Sequence, residues 1–429
     1  MSWTNWAGNQ ADSAAVTRPG STAEVAALVK QARADGRTVK PVGAGHSFTG
    51  AALTDGIRIS LDRLADLVSV DRASRLVTVQ AGMPLYRLNR ILAEHGLALP
   101  NLGDIDSQSI AGAISTGTHG TGARLGCLST FVESLTLVDG SGATVTASAR
   151  ENPDVFQAAR VGVGALGILT EVTLRCVDAF ILRAEEGLGR IDEVFAGLAE
   201  HIDGNEHFEM YWFPYTDRLQ TKANNRVPAD DRPLNRFRGW LDDSFLSNTV
   251  FGAACRVGRR FPGTVRTITA IEARALSPRV YTAPSYQVFC TPRRVRFVEM
   301  EYGLPRAAVP EAFAELRKIV ERLPFPVIFP VELRFTAGDD IWLSHGYGRD
   351  SGYIAVHQYV GMPYEPYFRA FEEVARDLGG RPHWGKLHWR TAGDLSHAYP
   401  RFDDFRAVRD RLDADRVYAN AYTRSIFGD

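Results

Sequence analysis

The sequence has almost no net charge: its 429 residues carry 49 Lys+Arg against 50 Asp+Glu, for a balance of -1. The basic excess that phosphate contacts demand of a nucleic-acid binder is therefore missing. Arg-rich stretches such as Arg293 to Arg296 are short and interrupted by apolar residues. Long apolar runs are missing too, since none approaches the ~18 to 20 residues of a transmembrane helix. Met1 to Gly8 shows no basic stretch followed by an apolar core, so a secretory signal is not expected and a soluble, cytoplasmic protein is. Cysteine is scarce: Cys127, Cys176, Cys255 and Cys290 lie far apart and form no C-x-x-C. A disulfide framework and a zinc site are both unsupported, no metal site is expected, and small buried thiols in a reducing compartment are the expected use. There is no G-x-x-x-x-G-K-[ST], no internal repeat and no low-complexity tract.

Glycine is present in excess, at 39 residues against about 30 at average usage. Much of the surplus falls in three clusters before residue 170. Ala23 to Ala34 has helical periodicity with Gly36 as a stop, and Val39 to Val42 reads as a strand entering Gly43-Ala44-Gly45-His46-Ser47. A hairpin is predicted over Leu67 to Val70 and Leu76 to Val79, then a helix over Leu85 to His95. The second cluster is Ala111 to Gly122. Another hairpin, Leu135 to Val138 and Thr144 to Ala147, turns at Asp139-Gly140-Ser141-Gly142. Asn152 to Val161 reads as helix, and the third cluster, Gly162 to Gly167, leads into a strand from Ile168 to Leu174.

At this length two or three domains are expected. Residues 1–178 predict an α+β unit without a strict βαβ rhythm. Beyond it, strand-like runs at Met210 to Phe213, Tyr286 to Phe289, Phe297 to Tyr302, Val331 to Thr336 and Tyr353 to Tyr359 alternate with helical stretches such as Pro310 to Arg322 and Tyr367 to Leu378. A second α+β domain on an antiparallel sheet follows, with Asn224 to Asn235 as a loop.

Gly162-Val-Gly164-Ala-Leu-Gly167 matches G-x-G-x-x-G, but the dinucleotide fingerprint needs strand then helix and the predicted order here is helix then strand. Gly45-His46-Ser47-Phe48-Thr49 nearly spells a nucleophile elbow, yet Thr49 replaces its last glycine. A hydrolase using Ser47 with His46 ranks low, because adjacent residues rarely form a productive pair. Two or three glycine loops bearing Ser and Thr could instead hold a pyrophosphate through backbone N–H groups. Each alone could equally serve a turn.

The stretches Asn5-Trp6-Ala7-Gly8, Val42-Gly-Ala-Gly-His46-Ser47-Phe48, Ser115-Thr-Gly-Thr-His119-Gly-Thr-Gly122, Gly164-Ala-Leu-Gly167-Ile168 and Arg381-Pro-His383-Trp384-Gly385-Lys386 occur in one order along the chain. Together they resemble flavoproteins of the vanillyl-alcohol oxidase superfamily, in the branch of sugar-1,4-lactone oxidases and dehydrogenases and alditol oxidases. The resemblance implies a two-domain, PCMH-type FAD-binding fold: an FAD domain over 1–178, a substrate domain on an antiparallel sheet over 179–390, and a segment 391–429 returning to the first domain. It implies FAD bound covalently through its 8α-methyl group to His46. Gly43, Ala44, Gly45 and Ser47 would bind the pyrophosphate with Ser109, Gly112, Ser115, Gly117 and Thr118. Ile168 would meet the adenine end through its backbone, and His383 would also touch the cofactor. His119 either contacts the ring region or is a satisfied structural histidine.

The implied reaction is oxidation of an aldono-1,4-lactone such as L-gulono-1,4-lactone by hydride transfer to flavin N5, with dioxygen or another acceptor taking the electrons. The alternative is an alditol oxidase acting on xylitol or sorbitol at C1 with release of hydrogen peroxide. Glu332 and Arg334, two apart on a predicted strand, share a face. An arbitrary pair of this kind is usually a surface ion pair, but here the family places its substrate-contacting pair. Lys386 would join Arg334 in stabilising the reduced flavin, and Glu332 would accept or position the hydroxyl proton. Asp104, His357 and Tyr359 complete the expected substrate pocket; inward core packing is as good an account of the last two. Asp104 stands where alditol oxidases carry a serine, which favours a lactone over a polyol. Gly103 falls at the family's small gatekeeper position and favours access for dioxygen.

Overall fold

The computed structural model describes residues 3–229, 232–233 and 239–429. Helix Thr22–Ala34 starts where the Ser21 hydroxyl accepts a hydrogen bond from the Glu24 amide, and it buries Val25, Val29 and Ala32 on one face. The helix joins two strands of a small parallel sheet ordered Ala15–Thr17, Ile57–Ser60, Val39–Val42. The last of these runs directly into Gly43. A five-stranded antiparallel sheet follows, in the order Thr144–Ser148, Val132–Val138, Ile168–Arg175, Leu76–Gln80, Leu67–Asp71. Its central strand leaves the third glycine cluster, preceded by helix Pro153–Ala159, so the helix-then-strand order that excludes a dinucleotide fingerprint holds.

An eight-stranded sheet, antiparallel throughout, forms the second half. Its order is Arg279–Pro284, Ile181–Arg190, Arg218–Val227, His207–Trp212, Val331–Thr336, Ser351–Tyr359, Phe297–Pro305, Arg381–Pro382. Successive side chains on a strand point to opposite faces, and in the central strands the two faces differ sharply. Phe208, Met210, Trp212, Val298, Met300, Val331, Leu333, Phe335, Ile354 and Val356 pack with helices Val309–Arg322 and Glu365–Asp377 in one apolar core. The alternate positions, including Glu209, Glu299, Glu301, Glu332, Arg334 and His357, form the other face. They are polar yet nearly all buried.

The C-terminal helices Phe402–Leu412 and Ala421–Phe427 share a core with the N-terminal sheets through Phe402, Phe405, Val408, Ile426 and Phe427. The Tyr418 hydroxyl donates to the Val138 carbonyl at 2.8 Å, and the Asn420 side-chain amide donates to the carbonyls of Gly50 at 2.9 Å and Leu53 at 2.8 Å. Ile341, Trp342 and Leu343 enter that core as well.

Several elements differ from expectation. Tyr286 to Phe289 is not a strand but lies in helix Ser285–Phe289, whose buried residues Ser285, Val288 and Phe289 follow helical spacing. Residues 224–227 end a strand rather than begin a loop, because each pairs with Ile181–Ala184 in the neighbouring strand. Residues 230, 231, 234 and 235 of that expected loop lie outside the described residues. The second glycine cluster hides a short helix, Ile110–Ser115, capped by the Ser109 hydroxyl. No helix among the described residues is long and apolar enough to cross a membrane.

Candidate active site

Two chambers meet at His46. The first, with about 930 Å³ of space, is walled by the three glycine clusters. Of the residues expected at the cofactor, Gly43, Ala44, Gly45, His46, Ser47, Ser109, Gly112 and Ser115 line it. A side chain at residue 43 would place its Cβ 2.2 Å from the Ser109 hydroxyl oxygen and displace the hydroxyl that caps helix Ile110–Ser115. Gly45 takes φ +71°, which re-aims the chain so that His46 and Ser47 reach both chambers. Val163, a β-branched residue, is held at φ +50° in the wall between Gly162 and Gly164, and its amide donates to the Ser115 carbonyl at 3.0 Å. Such backbone is strained for a branched side chain and persists where the surroundings over-determine it.

The second chamber, about 810 Å³, lies between the glycine loops and the polar face of the large sheet. Glu332, Arg334, Lys386, Asp104, His357, Thr118 and His383 all line it, and so does His119. Three expectations need correction. Thr118 faces this chamber and not the first, with its hydroxyl accepting from the Gln108 amide at 3.2 Å. Gly117 lines neither and turns against the His345 ring; Ile168, expected to act through its backbone, buries its side chain in the first core between Gly167 and Leu169, which face the cavity. Tyr359 is also outside, because at the end of its strand it sits beneath the Arg259 guanidinium, 5.6 Å from the ring centre. The hydrolase arrangement fails as well, since His46 Nε2 faces the Ser107 hydroxyl at 2.8 Å rather than Ser47.

Arg334 is the hub of the polar face. Its Nε donates to Glu209 Oε2 at 3.1 Å across the strand pair, and its Nη2 contacts Glu332 Oε1 and lies 3.3 Å from Asp104 Oδ1. Asp104 binds Arg293 as well, at 2.7 Å. Burial would raise the Asp104 carboxyl, but Arg334 and Arg293 hold it well below the usual carboxylate range. Glu332 goes the other way. Burial, with Asp104 and Glu209 nearby, outweighs Arg334 and pushes it up to about 7. The Tyr211 hydroxyl donates to Glu332 Oε1 at 3.0 Å.

A second cluster forms around Glu299, which contacts Lys386 Nζ and stands 3.3 Å from His357 Nε2. Burial works against both charges, yet Glu299 keeps Lys386 and His357 above their ordinary pKa values, helped by Glu301 at Lys386 and by Glu332 at His357. Lys386 is placed by Trp384, whose buried indole stacks on Tyr399 and donates to the Leu343 carbonyl at 2.7 Å. His119 is doubly satisfied: Nδ1 meets the Gly120 carbonyl at 2.9 Å and Nε2 meets Glu301 Oε1 at 3.3 Å. His119, Glu301 and His383 bring donor atoms within 4.8 Å of one another. The Gly385 amide donates to His383 Nδ1 at 3.0 Å, so this trio is bonded into its surroundings.

Glu299, Glu301, Arg293, Glu209 and Tyr211 were not among the residues expected at the site. In the run Phe297-Val-Glu-Met-Glu-Tyr302 the two glutamates alternate with apolar residues that form the core, which marks a strand with one polar face but not what that face meets.

A family model described as D-arabinono-1,4-lactone oxidase matches residues 172–426, which is more than half of the chain. The chain belongs to the D-arabinono-1,4-lactone oxidase family. A second model, described as FAD binding domain, matches residues 13–148. The chain is 43% identical to an L-gulono-1,4-lactone dehydrogenase of Mycobacterium tuberculosis over 427 residues, 99% of each chain. It is 34% identical to L-gulonolactone oxidase of Bos taurus over 417 residues, 96% of this chain and 94% of that one. In structure it matches cholesterol oxidase from Brevibacterium sterolicum with a TM-score of 0.84 at 20% identity, over 99% of this chain and 96% of that chain. That likeness speaks to the fold alone, and it agrees with the FAD-binding, vanillyl-alcohol oxidase type of fold expected from the motifs. The first chamber suits FAD: it is walled by glycine main chain and small hydroxyl residues, and it shares His46 and Ser47 with a chamber lined by charged groups.

Proposed function

We propose that the protein is an FAD-dependent oxidoreductase that oxidises an aldono-1,4-lactone, L-gulono-1,4-lactone or a near relative. The observation that carries this reading is the convergence of Glu332, Arg334, Lys386 and His357 in one chamber that opens at His46 onto the glycine-lined chamber. Gly43, Ala44, Gly45, Ser47, Ser109, Gly112 and Ser115 would hold the cofactor, with His383 and Thr118 at its reactive end. When bound, FAD supplies the hydride acceptor and takes on negative charge as it is reduced. Lys386 and Arg334 provide fixed positive charge in a site shielded from water, where it counts most. Glu332 takes the proton from the substrate hydroxyl, and Tyr211 and Arg334 orient it. The acceptor is dioxygen or another oxidant; Gly103 lines the chamber without a side chain.

Glu332 makes this step pH-dependent. Only its ionised form can take a proton, so substrate-driven flavin reduction should rise as pH increases through about 7, and Glu332→Gln should flatten that limb. A wild-type profile flat through neutrality removes Glu332 from the proton's path.

Asp104 is committed to Arg293 and Arg334, which supports a lactone over an open-chain polyol. Anaerobic bleaching of the flavin should be faster with L-gulono-1,4-lactone than with xylitol. The reverse order points to an alditol oxidase instead. We also propose that His46 carries the flavin covalently, so that yellow colour stays with acid-precipitated protein. The domain division at 178 and 390 and a cytoplasmic location belong to the same reading. The latter is supported by the four unpaired cysteines, three of them buried.

A further inference from the structure

We propose that Ser107 engages Nε2 of His46, leaving Nδ1 to bond the flavin, and relays the Nε2 proton to solvent when that ring is joined. The inference rests on the reading that His46 carries the flavin covalently, and it assigns a role to a residue outside both chambers. The His46 ring is held from three sides. Trp6 stacks on it with ring centres 5.6 Å apart and planes 26° from parallel. The Trp6 amide donates to the Gly45 carbonyl at 2.8 Å, and the Asn5 side-chain amide donates to the Ser47 carbonyl at 3.0 Å, clamping the backbone on either side of His46. Ser107 is the third contact, with its Oγ 2.8 Å from Nε2.

An imidazole attacks carbon through a nitrogen that carries no proton. With Nε2 engaged by Ser107, the nitrogen left for bonding is Nδ1. It is a nucleophile only in the tautomer that keeps the hydrogen on Nε2 and donates it to the hydroxyl oxygen. A ring held as Nδ1–H would have its lone pair turned to Ser107 and could not react. Burial, reinforced by Lys386, lowers the His46 pKa to about 4, so the ring is neutral at working pH and tautomer choice is the remaining variable.

A C–H bond at the 8α-carbon breaks and its proton passes to solvent, while a bond forms between that carbon and Nδ1. The electron pair stays on the flavin until the enzyme's own electron acceptor removes it. Nδ1 now bears carbon, so the ring would be cationic if it kept its Nε2 proton. Ser107 is exposed, and it passes that proton to solvent.

The test is to express wild type, Ser107→Thr, Ser107→Ala and His46→Ala and to purify each with its flavin. The flavin surviving acid precipitation is then measured, with intact mass as a second readout. For apoprotein given FAD, the linked fraction is followed in time. Wild type and Ser107→Thr should link fully. Ser107→Ala should still bind FAD, seen as flavin absorbance co-eluting in gel filtration, but link at least about tenfold more slowly, the scale of one lost proton-transfer partner. Ser107→Ala linking at the wild-type rate overturns the proposal. Wild-type flavin released entirely by acid overturns the covalent reading itself and the proposal with it, a result distinct from an unchanged Ser107→Ala.

Discussion

Replacing Arg334 with methionine is expected to remove substrate-driven flavin reduction and to destabilise the fold. The guanidinium is shared by the buried Glu209 and Glu332 and by the part-exposed Asp104. Its loss leaves carboxylates facing one another away from water, and breaking a buried pair in this way costs about 3–5 kcal/mol. Arg334→Lys keeps the charge but not the planar fork that reaches three acceptors, so it should recover stability more than activity. Thermal unfolding and stopped-flow reduction of the FAD-loaded protein separate the two effects. An Arg334→Met variant that melts with wild type and reduces its flavin at an undiminished rate would show that the cluster is incidental.

Lys386→Met should act on rate more than on stability. Lys386 keeps 22% of its side chain exposed, so losing it strands less buried charge, although Glu299 is left with His357 as its partner. If Lys386 stabilises charge on the reduced flavin, the reduction rate should fall by roughly 10²–10³, the range for a single lost oxyanion donor. Lys386→Arg should restore part of it. An unchanged reduction rate with bound flavin would move Lys386 out of the reaction and into a purely structural pairing with Glu299.

The parts of the site that could be read from the sequence are those written in local pattern. Gly43 and Gly45 belong to a loop whose composition allows close approach, Ser109 and Gly112 stand out as small residues at the second glycine cluster, and Glu332-Leu333-Arg334 sits on a strand whose alternation is plain. Glu299 and Glu301 escaped notice because glutamates alternating with apolar residues look the same whether their face meets water or another domain. What covers that face comes from far along the chain: His119 reaches Glu301, and Asp104 reaches Arg334. Tyr359 failed for the opposite reason. Its spacing from His357 is right, but the strand outruns the chamber by those two residues. The strand at 218–227 was missed because Lys222, Asn224, Asn225 and Arg226 give no hydrophobic signal, and only pairing on both sides makes it a strand.

The two-faced, eight-stranded sheet has an evolutionary consequence. The residues proposed to choose and activate the substrate alternate with residues that pack beneath the helices, so the two sets can vary independently on one unchanged backbone. A lineage could trade one sugar derivative for another by exchanging side chains on the reactive side without loosening the core. The same arrangement is intolerant of insertion. A single added residue within Val331–Thr336 or Phe297–Pro305 would exchange the faces, driving glutamates among Phe313, Leu316 and Phe371 and turning leucine, valine and methionine toward the second chamber.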